Sequence, residues 1–131
     1  MITTSEIHNI IYAYCDAFGM EKHRGNTMPL GEVTKERCVV ITKQQRGGKY
    51  WDRCYVEVNL CVPDIMGQAN GERLAALERI AKGLFGYKTA GRYDGTIYRF
   101  QSETMEIAEA QNLRCHFVNV HILFETKNIL E

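Results

Sequence analysis

Between residues 43 and 53 the chain reads KQQRGGKYWDR, which sets four cations, Lys43, Arg46, Lys49 and Arg53, beside two aromatics, Tyr50 and Trp51. Cations neutralise phosphate oxygens and aromatic rings stack on bases, so this composition suits a phosphate-and-base binding surface. Trp, Tyr and Arg are also the residues that anchor protein interfaces. The plainest reading is a solvated hairpin end with Trp51 packed on a neighbouring loop. All three stay open at this stage.

Thiols and imidazoles offer less. The cysteines at 15, 38, 54, 61 and 115 are odd in number and form no Cys-x-x-Cys pair, the pattern of reduced, partly buried thiols. A zinc site needs four converging ligands, and Cys61, Cys115, His116 and His121 are the only candidates on neighbouring strands. His116 and His121 are expected on opposite faces, which argues against that site. Cys115 and His116 are adjacent in a strand and also face apart, so they cannot share a proton as nucleophile and base. Phosphate-loop, nucleophile-elbow and His-Glu-x-x-His motifs are missing. The expectation is a protein without catalytic residues, metal or cofactor.

A third constellation comes from two alternating segments, 55–63 and 116–124. In one, Val56, Val58, Leu60 and Val62 oppose Tyr55, Glu57, Asn59 and Cys61; in the other, Val118, Val120, Ile122 and Phe124 oppose Phe117, Asn119, His121 and Leu123. A strand has a side-chain period of two, so each segment gives an aliphatic face to a core and turns a mixed face elsewhere. Tyr55, Phe117 and Leu123 put more apolar area on the mixed face than water is normally left to cover, and a partner subunit is the economical cover.

The elements that position these residues follow from caps and breakers. Thr3 and Glu6 have capping-box spacing, and Ile7, Ile10, Ile11, Tyr14 and Phe18 recur at helical intervals up to Gly19, predicting a helix over 4–18. Residues 19–36 lack a period and read as a long loop, a candidate contact arm. A β-branched run at 38–42 precedes the Gly47-Gly48 turn, where glycine supplies positive φ for a hairpin. The next strand begins near Cys54 and Pro63 ends it. Asn70 caps a helix over 71–85 carrying Leu74, Leu77, Ile80, Ala81 and Leu84. A Gly/Tyr-rich stretch at 86–95 leads to a strand over 96–105 with Tyr98 and Phe100 on one side, and a turn at 110–112 leads to the last strand.

The expected fold is α+β in the order α-β-β-α-β-β. It is a two-layer domain with a four-stranded, mostly antiparallel sheet, two helices on one face, and an extended hairpin and loops. At 131 residues the chain is one domain, 1–131, able to bury roughly two thirds of the surface its unfolded form exposes. Sixteen Lys and Arg balance sixteen Asp and Glu, so no global field draws the protein to nucleic acid or an anionic membrane. No apolar run reaches the roughly 20 residues of a membrane span, and MITTSEIHNI lacks the blocks of a signal peptide, which predicts a cytosolic protein without a membrane partner.

The N-terminal helix ending at Phe18-Gly19, the segment CVVITKQQRGGKYWDRCYVEVNLCVPD at 38–64, ERLAALERIAKGL at 72–84 and HFVNVHILFE at 116–125 together resemble bacteriophage tail-terminator or tail-completion proteins. These belong to the minor-tail, head-to-tail joining group. The resemblance implies a structural protein without shared catalytic residues. It implies a homo-oligomeric ring, usually a hexamer, that caps the head-proximal end of a tail tube and meets the tube protein and the head connector. It also places the protein in the host bacterial cytoplasm during assembly and then in the virion tail. On this footing Lys43, Arg46, Lys49, Tyr50, Trp51 and Arg53, with Tyr55, Phe117, His121 and Leu123, are interface or lumen candidates, the cations in transient contact with passing DNA. The alternative expectation is a small nucleic-acid-binding module using hairpin 43–53.

Overall fold

The computed structural model describes residues 2–25 and 31–127. Its elements are helix α1 (Thr4–Tyr14), strands β1 (Glu21–Arg24), β2 (Arg37–Thr42) and β3 (Trp51–Pro63), helix α2 (Gly71–Phe85), and strands β4 (Thr89–Tyr93), β5 (Thr96–Ala110) and β6 (Cys115–Lys127). The sheet has six strands in the order β1-β2-β3-β6-β5-β4, curled into a half-barrel; β1 is parallel to β2 and every other pairing is antiparallel.

This corrects the expected two-layer α+β fold, a four-stranded, mostly antiparallel sheet with two helices on one face: the sheet is six-stranded, mixed and curled, and the chain is mostly β. The additional strands lie where sequence patterns are weakest. β1 is the polar tetrapeptide EKHR inside the expected loop 19–36, of which residues 26–30 lie outside the described residues. It has no apolar alternation. Instead, Lys22 Nζ donates to Tyr12 O (2.9 Å) and the Tyr12 hydroxyl donates to Lys22 O (3.1 Å), tying β1 to α1. β4, TAGRY, lies in the Gly/Tyr-rich stretch. Gly91 pairs with Tyr98, and a Cβ there would meet the Tyr98 hydroxyl at 2.5 Å, so glycine makes room for the ring. β5 runs on to Ala110 because a bulge between Ser102 and Thr104 shifts the pairing by one residue, breaking the period-two signal near the expected end at 105.

The helices form for reasons visible in the chain. Glu6 N donates to Thr3 Oγ1 (3.2 Å) and Thr3 N to Glu6 Oε1 (2.9 Å), closing the capping box. A 3₁₀ turn, Cys15–Phe18, finishes the first helix, and Gly19 at φ 66° reverses the chain in a region that side chains with a Cβ rarely occupy. Asn70 Oδ1 accepts from Arg73 N (3.3 Å), and the Arg73 guanidinium grips Glu36 with two bonds of 2.7 and 3.0 Å.

Ile7 and Ile11 of α1 and Leu74, Leu77, Ala81 and Phe85 of α2 are buried in one core with Val56, Val58, Leu60, Val118, Val120, Ile122 and Phe124. Each fully buried aliphatic side chain contributes roughly 1.5–3 kcal/mol relative to exposure. Phe100 is the aromatic hub of this core: its ring lies 5.1 Å from Tyr14, 5.7 Å from Phe124, 6.1 Å from Phe85 and 6.2 Å from Tyr98. No described helix is long and apolar enough to cross a membrane.

Phe100→Ala therefore removes one ring from four aromatic contacts at once and is expected to lower unfolding free energy by about 3–5 kcal/mol in urea titrations. Ile107→Ala, on a side chain that is 47% exposed, should change it by less than about 1 kcal/mol. Equal losses at the two positions would contradict this placement of the core.

Candidate functional site

The register of β3 on β6 runs unbroken from Trp51↔Lys127 to Pro63↔Cys115 and decides what the helix-free face displays. Residues directly paired across strands point to the same side. Trp51, Arg53, Tyr55, Glu57 and Asn59 of β3 therefore share a face with Lys127, Glu125, Leu123, His121 and Asn119 of β6, and with Arg99 and Gln101 of β5.

At one end of this face the ladder between β2 and β3 continues beyond Thr42. Lys43 N donates to Tyr55 O (2.8 Å), and Arg46 and Arg53 exchange both backbone bonds (2.7 and 2.8 Å). The turn closes at 47–52. Neither Gly47 nor Gly48 takes positive φ, contrary to the expected hairpin chemistry. Gly48 instead permits close approach, since a Cβ there would lie 2.1 Å from Trp51 O. The result is a cleft of about 860 Å³ whose walls carry Lys43, Arg46, Lys49, Tyr50, Arg53 and Arg99.

Trp51 is not a free stacking platform. The Arg99 guanidinium lies 3.8 Å from its ring centroid and Lys127 Nζ lies 5.3 Å away, while Arg99 Nε donates to Glu125 Oε1 at 2.9 Å. The indole is thus engaged by side chains of β5 and β6, not by a neighbouring loop. Lys49 lies 5.4 Å from the ring of Tyr50, which is 59% exposed and is the more open of the two hairpin aromatics. Sequence reasoning missed Arg99, Glu125 and Lys127. A period-two extension of the mixed face beyond Leu123, and the alternation of Arg99 with Tyr98 and Phe100, would have found them.

Farther along, Tyr55 stacks on His121 (centroids 4.7 Å, planes 20° apart), His121 Nδ1 lies 3.4 Å from Glu57 Oε1, and Lys43 Nζ lies 4.0 Å from Glu57 Oε2. Asn119 Nδ2 donates to Asn59 Oδ1 (2.7 Å). Leu123 is half-buried between these groups and the cleft. Phe117 stands apart, packed with Val33, Cys61 and Cys115 under the chain that leads into β2. Seven of the ten candidates, Lys43, Arg46, Lys49, Tyr50, Trp51, Arg53 and Tyr55, line one cleft. His121 and Leu123 adjoin it, and Phe117 does not.

Cys115 is buried in that satellite cluster, whereas His116 faces the other side and bonds Asp64 Oδ1 at 2.7 Å. Burial pushes the Cys115 thiol up to about 11, the neighbouring Cys61 adding to it, and burial likewise raises Cys61. Neutral, buried thiols are poor nucleophiles. Among the described residues no group of three or more His, Cys, Asp or Glu side chains is placed to hold a metal ion. The face presents cations, an exposed aromatic and a lattice of side chains already paired with one another, an arrangement that can bind a partner.

No protein-family model and no curated protein matches the chain. A solved structure aligns over 98% of this chain and 94% of its own, with a TM-score of 0.57 at 13% sequence identity. At that identity the likeness concerns the fold alone.

Because Arg99 covers the indole, Arg99→Ala should expose Trp51, shift its fluorescence emission to longer wavelength and increase quenching by the neutral quencher acrylamide, with the far-ultraviolet circular dichroism unchanged. An unaltered emission maximum and quenching constant would contradict the stacked geometry.

Proposed function

We propose that this chain is a structural assembly subunit of the phage tail-terminator kind. In this reading copies close into a ring, six-fold as is usual in that family, at the head-proximal end of a tail tube. The ring stops tube growth and offers the surface that meets the head connector. The protein works in the host cytoplasm during assembly and remains in the virion tail.

The observation that carries this reading is the helix-free face. It is a broad, half-buried surface of interlocked pairs, Arg99 with Glu125 and Trp51, His121 with Tyr55 and Glu57, and Asn119 with Asn59. Side chains fixed in this way lose little further rotamer freedom when a partner covers them, which favours association. Balanced charge supports the same reading, since copies brought together accumulate no net repulsion.

The cationic cleft favours a second reading, contact with nucleic acid, because Arg46, Lys49 and Arg53 have no carboxylate at ion-pair distance among the described residues. With Trp51 covered, such contact falls to phosphates and Tyr50 in place of a two-aromatic stacking platform. Binding of that kind weakens steeply with salt.

Light scattering and negative-stain microscopy of the purified protein test the first reading: a discrete oligomer with a central hole is expected. A strict monomer at the highest attainable concentration, with salt-sensitive binding of single-stranded DNA, would overturn it in favour of the second.

A further inference from the structure

β4 pairs only with the first five residues of β5, Thr96 to Phe100. From Ser102 to Ala110, β6 holds one side of β5, and among the described residues no strand holds the other. About half of the amide and carbonyl groups in such a stretch point to the open side, where they can template another strand. Beside this edge runs a groove of about 610 Å³ floored by α2, with Ala75, Arg79 and Lys82 on its helix wall.

The edge is selective. Glu103 and Glu106 project from it, exposed and without an ion pair among the described residues, and Glu109 adds a third carboxylate, 4.0 Å from His116 Nε2. Two such edges laid together would oppose like charges, so a two-fold dimer through this strand is disfavoured and a cationic strand is favoured.

The chain carries such a strand. β1 covers β2 only from Arg37 to Val40, so the extension of β2 through Lys43 to Arg46 has a backbone edge that no described strand pairs. Arg46 there, and Lys49 in the turn that follows, are exposed. Within one molecule the two edges cannot meet. They lie on opposite sides of the sheet, and Glu106 is seven residues beyond Arg99, the β5 residue beside the hairpin, or about 24 Å along the strand.

We infer that the open edge of β5, residues 102–110, accepts the basic hairpin arm of a second copy by strand addition of residues 43–46, with Arg46 and, from the turn that follows, Lys49 set against Glu103 and Glu106. This rests on the assembly reading and names its surfaces. The contact is head-to-tail, each copy offering an arm to one neighbour and an edge to the other, which is the interface type that closes into rings.

Two charge-reversed proteins test it by light scattering, one carrying Arg46→Glu and Lys49→Glu, the other Glu103→Lys and Glu106→Lys. All four positions are exposed, so circular dichroism should match the parent. Each variant alone should fall to monomer mass, and an equimolar mixture should regain the parent's assembled mass, because each then supplies the charge the other's arm or edge requires. If the parent assembles and either variant assembles equally well, or the mixture stays monomeric, the arm-to-edge pairing is wrong while the assembly reading stands. A parent that never leaves monomer mass overturns both. Should a variant fail to fold, the parent's mass against salt decides: dissociation on raising salt supports the ion-paired contact, and salt-independent mass overturns it.

Discussion

Pairing of β3 with β6 is the constraint on which the rest of the molecule depends. These two thirteen-residue strands form the middle of the sheet, and their unbroken register from Trp51↔Lys127 to Pro63↔Cys115 sorts every side chain to one of two faces. A slip of β3 by one residue would send Val56, Val58 and Leu60 to the helix-free side and bury Glu57 and Asn59 beneath the helices. The burial of the valines with Ile7, Ile11, Leu74 and Leu77 makes that slip prohibitive. The register then dictates that Glu125 pairs with Arg99 across to β5 and that Tyr55 meets His121 by diagonal approach.

Curvature follows from the same framework. The bulge between Ser102 and Thr104 bends β5, whose first residues carry β4 while its remainder runs on alone beside β6. One side of the sheet therefore ends in a covered segment followed by an open one. The other side ends in a short polar strand, β1, fixed by Tyr12 and by Lys22, whose ammonium lies 4.0 Å from the Tyr12 ring centroid. A half-barrel with unlike edges is suited to association in sequence around an axis. Burial raises the Cys61 and Cys115 thiols, and Cys115 and His116 are directed to opposite sides.

The sequence announced features governed by local periodicity or local hydrogen bonding. Thr3 and Glu6, Asn70, Gly19 and the two alternating central strands all act within a few residues, so their patterns survive in the chain. Features set by a distant neighbour were hidden. EKHR becomes a strand because α1 and β2 hold it, TAGRY because Tyr98 needs the space above Gly91, and residues 103–110 because a bulge resets the alternation. In the site, hairpin cations and aromatics were legible as a cluster. Arg99, Glu125 and Lys127 were not, because they join Trp51 only through pairing across three strands. Phe117 lies on the mixed face, as its alternation implies, but its packing against a cluster that includes Val33, distant in sequence, was not legible.

On the reading proposed above, the helix-free face and the edges of this sheet are surfaces for other copies. Amide hydrogen exchange, compared between dilute monomer and assembled protein, tests it most directly at residues 102–110. There the open backbone groups of β5 depend on a partner for protection, whereas the β3–β6 ladder is protected in either state. Exchange at 102–110 should slow markedly on assembly while the central ladder is unchanged. Assembly that leaves exchange at 102–110 as fast as in the monomer would contradict it.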